Sequence, residues 1–136
     1  VVKIAMYKGR KRVFNRLVSW WTRGPYSHTE LVIDGVCYSS SFLDKGVRKK
    51  AIELDPEHWD LIDAPWIDAE RAVKWFEDHM DDKYDVLGLV GFVLRRFPDD
   101  RHKFFCSEAC AAAAGFDEAW RLDPNTFAAI ARQRVA

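Results

Sequence analysis

Residues 24–41, GPYSHTELVIDGVCYSSS, hold the segment whose reading decides the fold. Two alternating β-rich runs, 27–33 and 36–42, are separated by Asp34-Gly35 alone. Asp-Gly between such runs is the strongest short-range hairpin signal: both central residues of a type I′ turn need positive φ, which Gly adopts freely. The turn sets Ile33 opposite Val36; counting outward, Glu30 meets Ser39 and His28 meets Ser41. Strand side chains alternate, so His28, Glu30, Val32, Cys37, Ser39 and Ser41 are expected on one face, with Leu31, Ile33 and Tyr38 on the other. An imidazole, a carboxylate and two hydroxyls on one face make either a solvated surface or a hydrogen-bonding site.

Outward from the hairpin, VVKIAMY (1–7) reads as an opening strand. RKRVFNRLVSWW (10–21) places Val13, Leu17 and Trp20 or Trp21 at helical spacing and stops at Gly24-Pro25. GVRKKAIEL (46–54) and WDLIDAP (59–65) read as further strands. The second half turns helical. DAERAVKWFEDHM (68–80) opens on the N-cap residue Asp68 and aligns Ala72, Trp75, Phe76 and Met80. YDVLGLVGFVLRRF (84–97) is apolar on most sides and reads as a buried helix or a strand-rich stretch. CSEACAAAAG (106–115) reads as a helix closed by Gly115, and a last helix is expected after Pro124. The pattern predicts one α+β domain over 1–136, its sheet early and its helices late.

Composition bounds the possibilities. A chain of 136 residues with 49% apolar content is long enough for a core and too apolar for disorder. The formal net charge is zero, so bulk charge gives no expectation of a nucleic-acid partner. Its distribution is uneven: Lys3, Lys8, Arg10, Lys11, Arg12, Arg16 and Arg23 precede the first acid, Glu30, whereas 53–85 carry twelve acids against three bases. That asymmetry is either two complementary surfaces or a basic arm for an anionic partner. Three unevenly spaced cysteines do not form a disulfide framework, so reduced thiols and a cytoplasmic setting are expected. No apolar run reaches the length of a membrane span, and the first residues do not read as a signal peptide, although the initial Val1 suggests processing or trimming.

If His28 is a general base, its nucleophile is expected in HKFFCSEACAAAAG, where Cys106 opens the alanine-rich helix. A thiol in a first helical turn feels the positive end of the helix dipole, which favours thiolate. The backbone amides of that turn are expected to receive an oxyanion. His28 then needs a third group to fix its ring. The competing reading makes Cys106 a small buried apolar residue; the polar Ser107 and Glu108 after it tilt against that. Cys110 and Cys37 read as core packing, and His58, His79 and His102 as surface residues without partners. A zinc site built on Cys106 and Cys110 lacks a second ligand pair.

The order YSHTELVIDG, YSSSFLDKGVRKK, KYDVLGLVGF, FFCSEACAAA resembles the circularly permuted branch of the papain-like NlpC/P60 superfamily, the YiiX/YebB-like group, above all its short phage and prophage members. The resemblance spans roughly residues 3–130 and places the histidine strand before the cysteine helix, as the permuted branch requires. It implies a small antiparallel sheet packed against helices, with Cys106 as nucleophile, His28 as base, and no metal or organic cofactor. In relatives the third residue is often a carboxylate on the next strand; here that stretch reads Tyr38-Ser39-Ser40, so Ser39 stands where the acid would be. Glu30, across the hairpin, is expected to orient His28 instead, with Ser39 and Ser41 as rivals. Tyr26 is expected to line the pocket or aid the oxyanion, and Tyr84 and Asp85 to be structural. The resemblance implies a thiol-dependent hydrolase or acyltransferase of bacterial or phage origin acting on a cell-wall peptide or an acyl-lipid. The alternatives are a non-catalytic binding module using the same groove, or a phage adaptor that uses Arg10, Lys11 and Arg12. The sequence does not give an oligomeric state.

Overall fold

The computed structural model of the chain describes residues 1–9, 24–41, 46–80 and 105–135. The helix expected over 10–21 with its basic residues, the stretch 84–97 with Tyr84 and Asp85, His102 and the side chain of Ser41 lie outside what is described. The fold is α+β. Strands β1 (Lys3–Tyr7), β2 (His28–Ile33), β3 (Val36–Ser41), β4 (Gly46–Lys50) and β5 (Trp59–Asp63) form one antiparallel sheet in the order β4-β3-β2-β1-β5. Helices α1 (Ala69–His79), α2 (Phe105–Ala113) and α3 (Pro124–Val135) follow, with a 3-10 turn at Ala119–Arg121. Among the described residues no helix is long and apolar enough to cross a membrane.

The hairpin forms as its sequence requires: Asp34 and Gly35 have φ of 50° and 77°, the sign a type I′ turn demands at both positions. Ile33 pairs with Val36, Val32 with Cys37 and Leu31 with Tyr38. There the ladder stops, short of the expected Glu30–Ser39 and His28–Ser41 pairs. The reason is side chains occupying the space. The Thr29 carbonyl accepts from the Ser39 hydroxyl at 2.6 Å, and the Cys110 thiol of α2 lies 3.5 Å from that carbonyl and 3.7 Å from that of Tyr38. A hydroxyl and a thiol thus satisfy backbone groups where β2 and β3 part.

Two strands are shorter than their sequences suggest because their neighbours end. Lys50 closes β4 opposite Cys37, one residue from the start of β3, and Asp63 closes β5 opposite Lys3, the first residue of β1. The helix ends follow local chemistry. Asp68 accepts from the Arg71 amide at 3.0 Å and Asp123 from the Thr126 amide at 2.9 Å, with Pro124 at the first helical position. After α2, Gly115 (φ 97°) donates to the Ala112 carbonyl and Phe116 to that of Ala111, a Schellman closure.

The core joins one sheet side to the helices. Ile4, Met6, Leu31, Ile33, Tyr38 and Ile62 pack with Ala72 and Phe76 of α1, Ala109 and Ala113 of α2, and Phe127, Ala128 and Ala131 of α3. Small residues along α2 let its backbone approach β2 and β3 closely, which brings its N-terminal turn to the head of β2.

Candidate active site

His28 begins β2 and Cys106 lies in the first turn of α2, 8% exposed. The two side chains are within hydrogen-bonding reach of each other. Nε2 of His28 is 2.7 Å from Oε1 of Glu30, so the ring donates there and Nδ1 is the nitrogen left for the sulfur. Glu30 is fully buried. Its Oε2 accepts from Nη1 of Arg48 at 2.6 Å, while Nη2 of Arg48 donates to Oε1. Arg48, Glu30, His28 and Cys106 therefore form a continuous chain from the edge strand to the helix.

The electrostatics follow from that chain. Burial opposes charge on the His28 ring, but the Cys106 sulfur, by charge and hydrogen bond, and the Glu30 carboxylate outweigh it, raising the imidazole from 6.5 to about 10. Burial alone would also neutralise Glu30; Arg48 first and His28 second reverse this and hold its carboxyl below the usual range. Cys110 differs: burial pushes its thiol well up, and the neighbouring Glu30 adds to the effect. Cys37 is likewise pushed up, chiefly by burial. These two thiols are packing groups beside the chain of polar contacts, as their sequence context suggests.

Of the expected site residues, His28, Glu30 and Cys106 are brought together. Ser39 is fully buried and gives its hydroxyl to the Thr29 carbonyl, not to the His28 ring. Tyr26 is buried with its hydroxyl directed elsewhere: it donates to Oδ2 of Asp60 at 2.5 Å and accepts from Nη2 of Arg132. Asn125 grips the Tyr26 backbone from both sides, accepting from its amide at 3.0 Å and donating to its carbonyl at 2.9 Å. Tyr26 thus anchors the approach to His28 on α3 and β5. Ser107 donates to the Leu122 carbonyl at 2.6 Å, a structural use of the polar residue after Cys106. Trp59 sets its ring edge-on to His28 at 6.3 Å between centroids.

Sequence reasoning missed Arg48. The available signal was Glu30 itself: an acid on a strand whose Leu31 and Ile33 enter the core needs a cation, and GVRKK supplies one on the strand beyond β3. His58 and His79, read as partnerless, have partners. Nδ1 of His58 is 2.8 Å from Asp55, within a half-exposed group of Asp55, Glu57 and His58 that lies at a turn. Nδ1 of His79 is 2.6 Å from the Trp75 carbonyl.

Comparison with protein-family models, with curated proteins and with solved structures finds no match to this chain.

Proposed function

We propose that the chain is a cysteine hydrolase or acyltransferase of the permuted NlpC/P60 type, acting on an amide or ester bond through Cys106 and His28. The observation that carries this reading is the buried Glu30 carboxylate bonded to the ring of His28, whose other side meets Cys106 in the first turn of α2. It is the arrangement of nucleophile, base and orienting group that acyl transfer needs. His28, held against the sulfur and raised by it and by Glu30, carries the proton that Cys106 gives up on attack.

In this mechanism Cys106 Sγ adds to the carbonyl carbon, and the carbonyl electron pair moves onto oxygen. The backbone amides of the first turn of α2 receive the oxyanion. Collapse expels the amine or alcohol, which takes its proton from His28, and leaves a thioester on Cys106. Water or another acceptor then attacks, giving its proton to His28 and releasing the thiolate. The substrate class is a cell-wall peptide or an acyl-lipid. A serine at position 39, where relatives often have an acid, favours a non-catalytic module; against it, Glu30 supplies a carboxylate from the neighbouring strand.

The test is acylation by an activated ester such as p-nitrophenyl acetate, read by mass spectrometry. An acetyl group on Cys106 in the parent, absent in His28→Ala, supports the reading. A parent that acquires none, with an intact fold, refutes it.

A further inference from the structure

We propose that Arg48 is a positioning residue of this site, acting through Glu30 on His28, and that the small side chain at Ser39 is the gap through which it reaches. The inference rests on the Cys106–His28 reading above. Arg48 belongs to the edge strand β4 and has Ser39 of β3 as its Cα partner. Glu30 lies on β2, one strand further. Neighbouring strands are about 4.8 Å apart, so Arg48 spans two strand spacings and must pass over residue 39. The path is open because Ser39 ends at a hydroxyl that is turned into the backbone, 2.6 Å from the Thr29 carbonyl. A carboxylate or a larger group at 39 would fill the path and compete for the guanidinium.

What Arg48 does there follows from its planar fork. One nitrogen holds each oxygen of Glu30, which fixes the plane of the carboxylate. Oε1 then has one position, and the Nε2–H of His28 has one direction to point. With the ring fixed by that bond, its second nitrogen faces Cys106. Arg48 also keeps Glu30 ionised, because a fully buried carboxylate without it would be driven toward the neutral acid. Among the described residues, the groups around this acid are His28 on its own strand, Arg48 from β4, Cys37 from β3, and Cys110 from α2, with Cys106 beyond the ring. Arg48 is the permanent cation in that set.

The experiment is the pH profile of Cys106 alkylation by iodoacetamide in the parent, Arg48→Met, Arg48→Lys, Glu30→Gln and the Glu30→Gln/Arg48→Met double variant, with folding followed by circular dichroism. In Arg48→Met the Glu30 carboxyl titrates higher, so the acid limb moves up by about one pH unit and the rate on that limb drops about tenfold. Arg48→Lys, which keeps the charge and loses the fork, moves in the same direction by less. The double variant matches Glu30→Gln, because Arg48 acts on the ring through the Glu30 carboxylate. Arg48→Met or Arg48→Lys profiles that superimpose on the parent overturn the inference, as does full additivity in the double variant. A parent with no fast alkylation at neutral pH overturns the Cys106–His28 reading itself, and this inference with it. Should Arg48→Met fail to fold, the Arg48→Lys profile decides.

Discussion

Nε2 of His28 lies 2.7 Å from Oε1 of Glu30, although the two residues are two positions apart on one strand. At roughly 3.3 Å of rise per residue their Cα atoms are about 7 Å apart, so each side chain must lean toward the other. Arg48 draws the carboxylate from one side and Cys106 engages the ring from the other. The Cα partner of Glu30 on β1 is Ala5, whose small side chain leaves room beside the acid. A local pair on one strand thereby becomes part of a chain that links two strands, β4 and β2, to a helix.

Cys106 does most to raise the His28 ring against burial, so its removal has a definite sign. In Cys106→Ala the imidazole loses that partner and falls from about 10 toward 6.5 by more than about one unit. Ring-nitrogen NMR titration of the parent and the variant measures this. An unchanged His28 midpoint contradicts the coupling.

Glu30 and Arg48 form a buried ion pair, and removing the acid takes a buried carboxylate away from the guanidinium. Glu30→Ala is expected to lower stability by about 3 to 5 kcal/mol in urea unfolding, since Arg48 is then left without its carboxylate. A loss below about 1 kcal/mol would mean that water reaches the guanidinium.

The same carboxylate gives a pH dependence with a determined sign. Its folded value lies below the ordinary 4.5, so its ionisation contributes stability that is complete above that value and is lost as pH falls through the lower folded value. The stability gap between the parent and Glu30→Gln is therefore expected to narrow as pH drops below about 4.5. A gap independent of pH in that range contradicts an ionised Glu30.

The three thiols are predicted to react unequally. Cys110 is fully enclosed, Cys37 nearly so, and burial pushes both thiols up. In the native state iodoacetamide is expected to label Cys106 alone, with the other two reacting only after unfolding. Peptide mapping distinguishes these cases, and equal labelling of Cys110 would contradict the packing described here.

Asn125 holds both polar groups of the Tyr26 backbone two residues ahead of His28. Asn125→Ala removes both bonds and is expected to cost about 1 to 3 kcal/mol. Gly24→Ala tests the same clamp from the other side, because a β-carbon there would run into the Asn125 side chain. Both variants should lower the thermal midpoint.

The hairpin was legible because Asp34-Gly35 states its own geometry, and the capped helices because Asp68, Pro124 and Gly115 act within one turn of themselves. The His28–Glu30 pair was legible for the same local reason. The end of the β2–β3 ladder was not, since it depends on the Cys110 thiol arriving from about seventy to eighty residues further along the chain. Arg48 required the register of β4 against β3, which the alternation of GVRKK alone does not specify. Tyr26 illustrates the converse. Its place beside His28 suggested a site role, but Asp60 and Arg132, distant in sequence, take its hydroxyl.

The measurement that bears most directly on the central claim is the rate of iodoacetamide alkylation at Cys106 against pH, in the parent and in His28→Ala. A reactive Cys106–His28 pair predicts fast alkylation of Cys106 at neutral pH, lost in the variant. Slow alkylation of both proteins at neutral pH would contradict it.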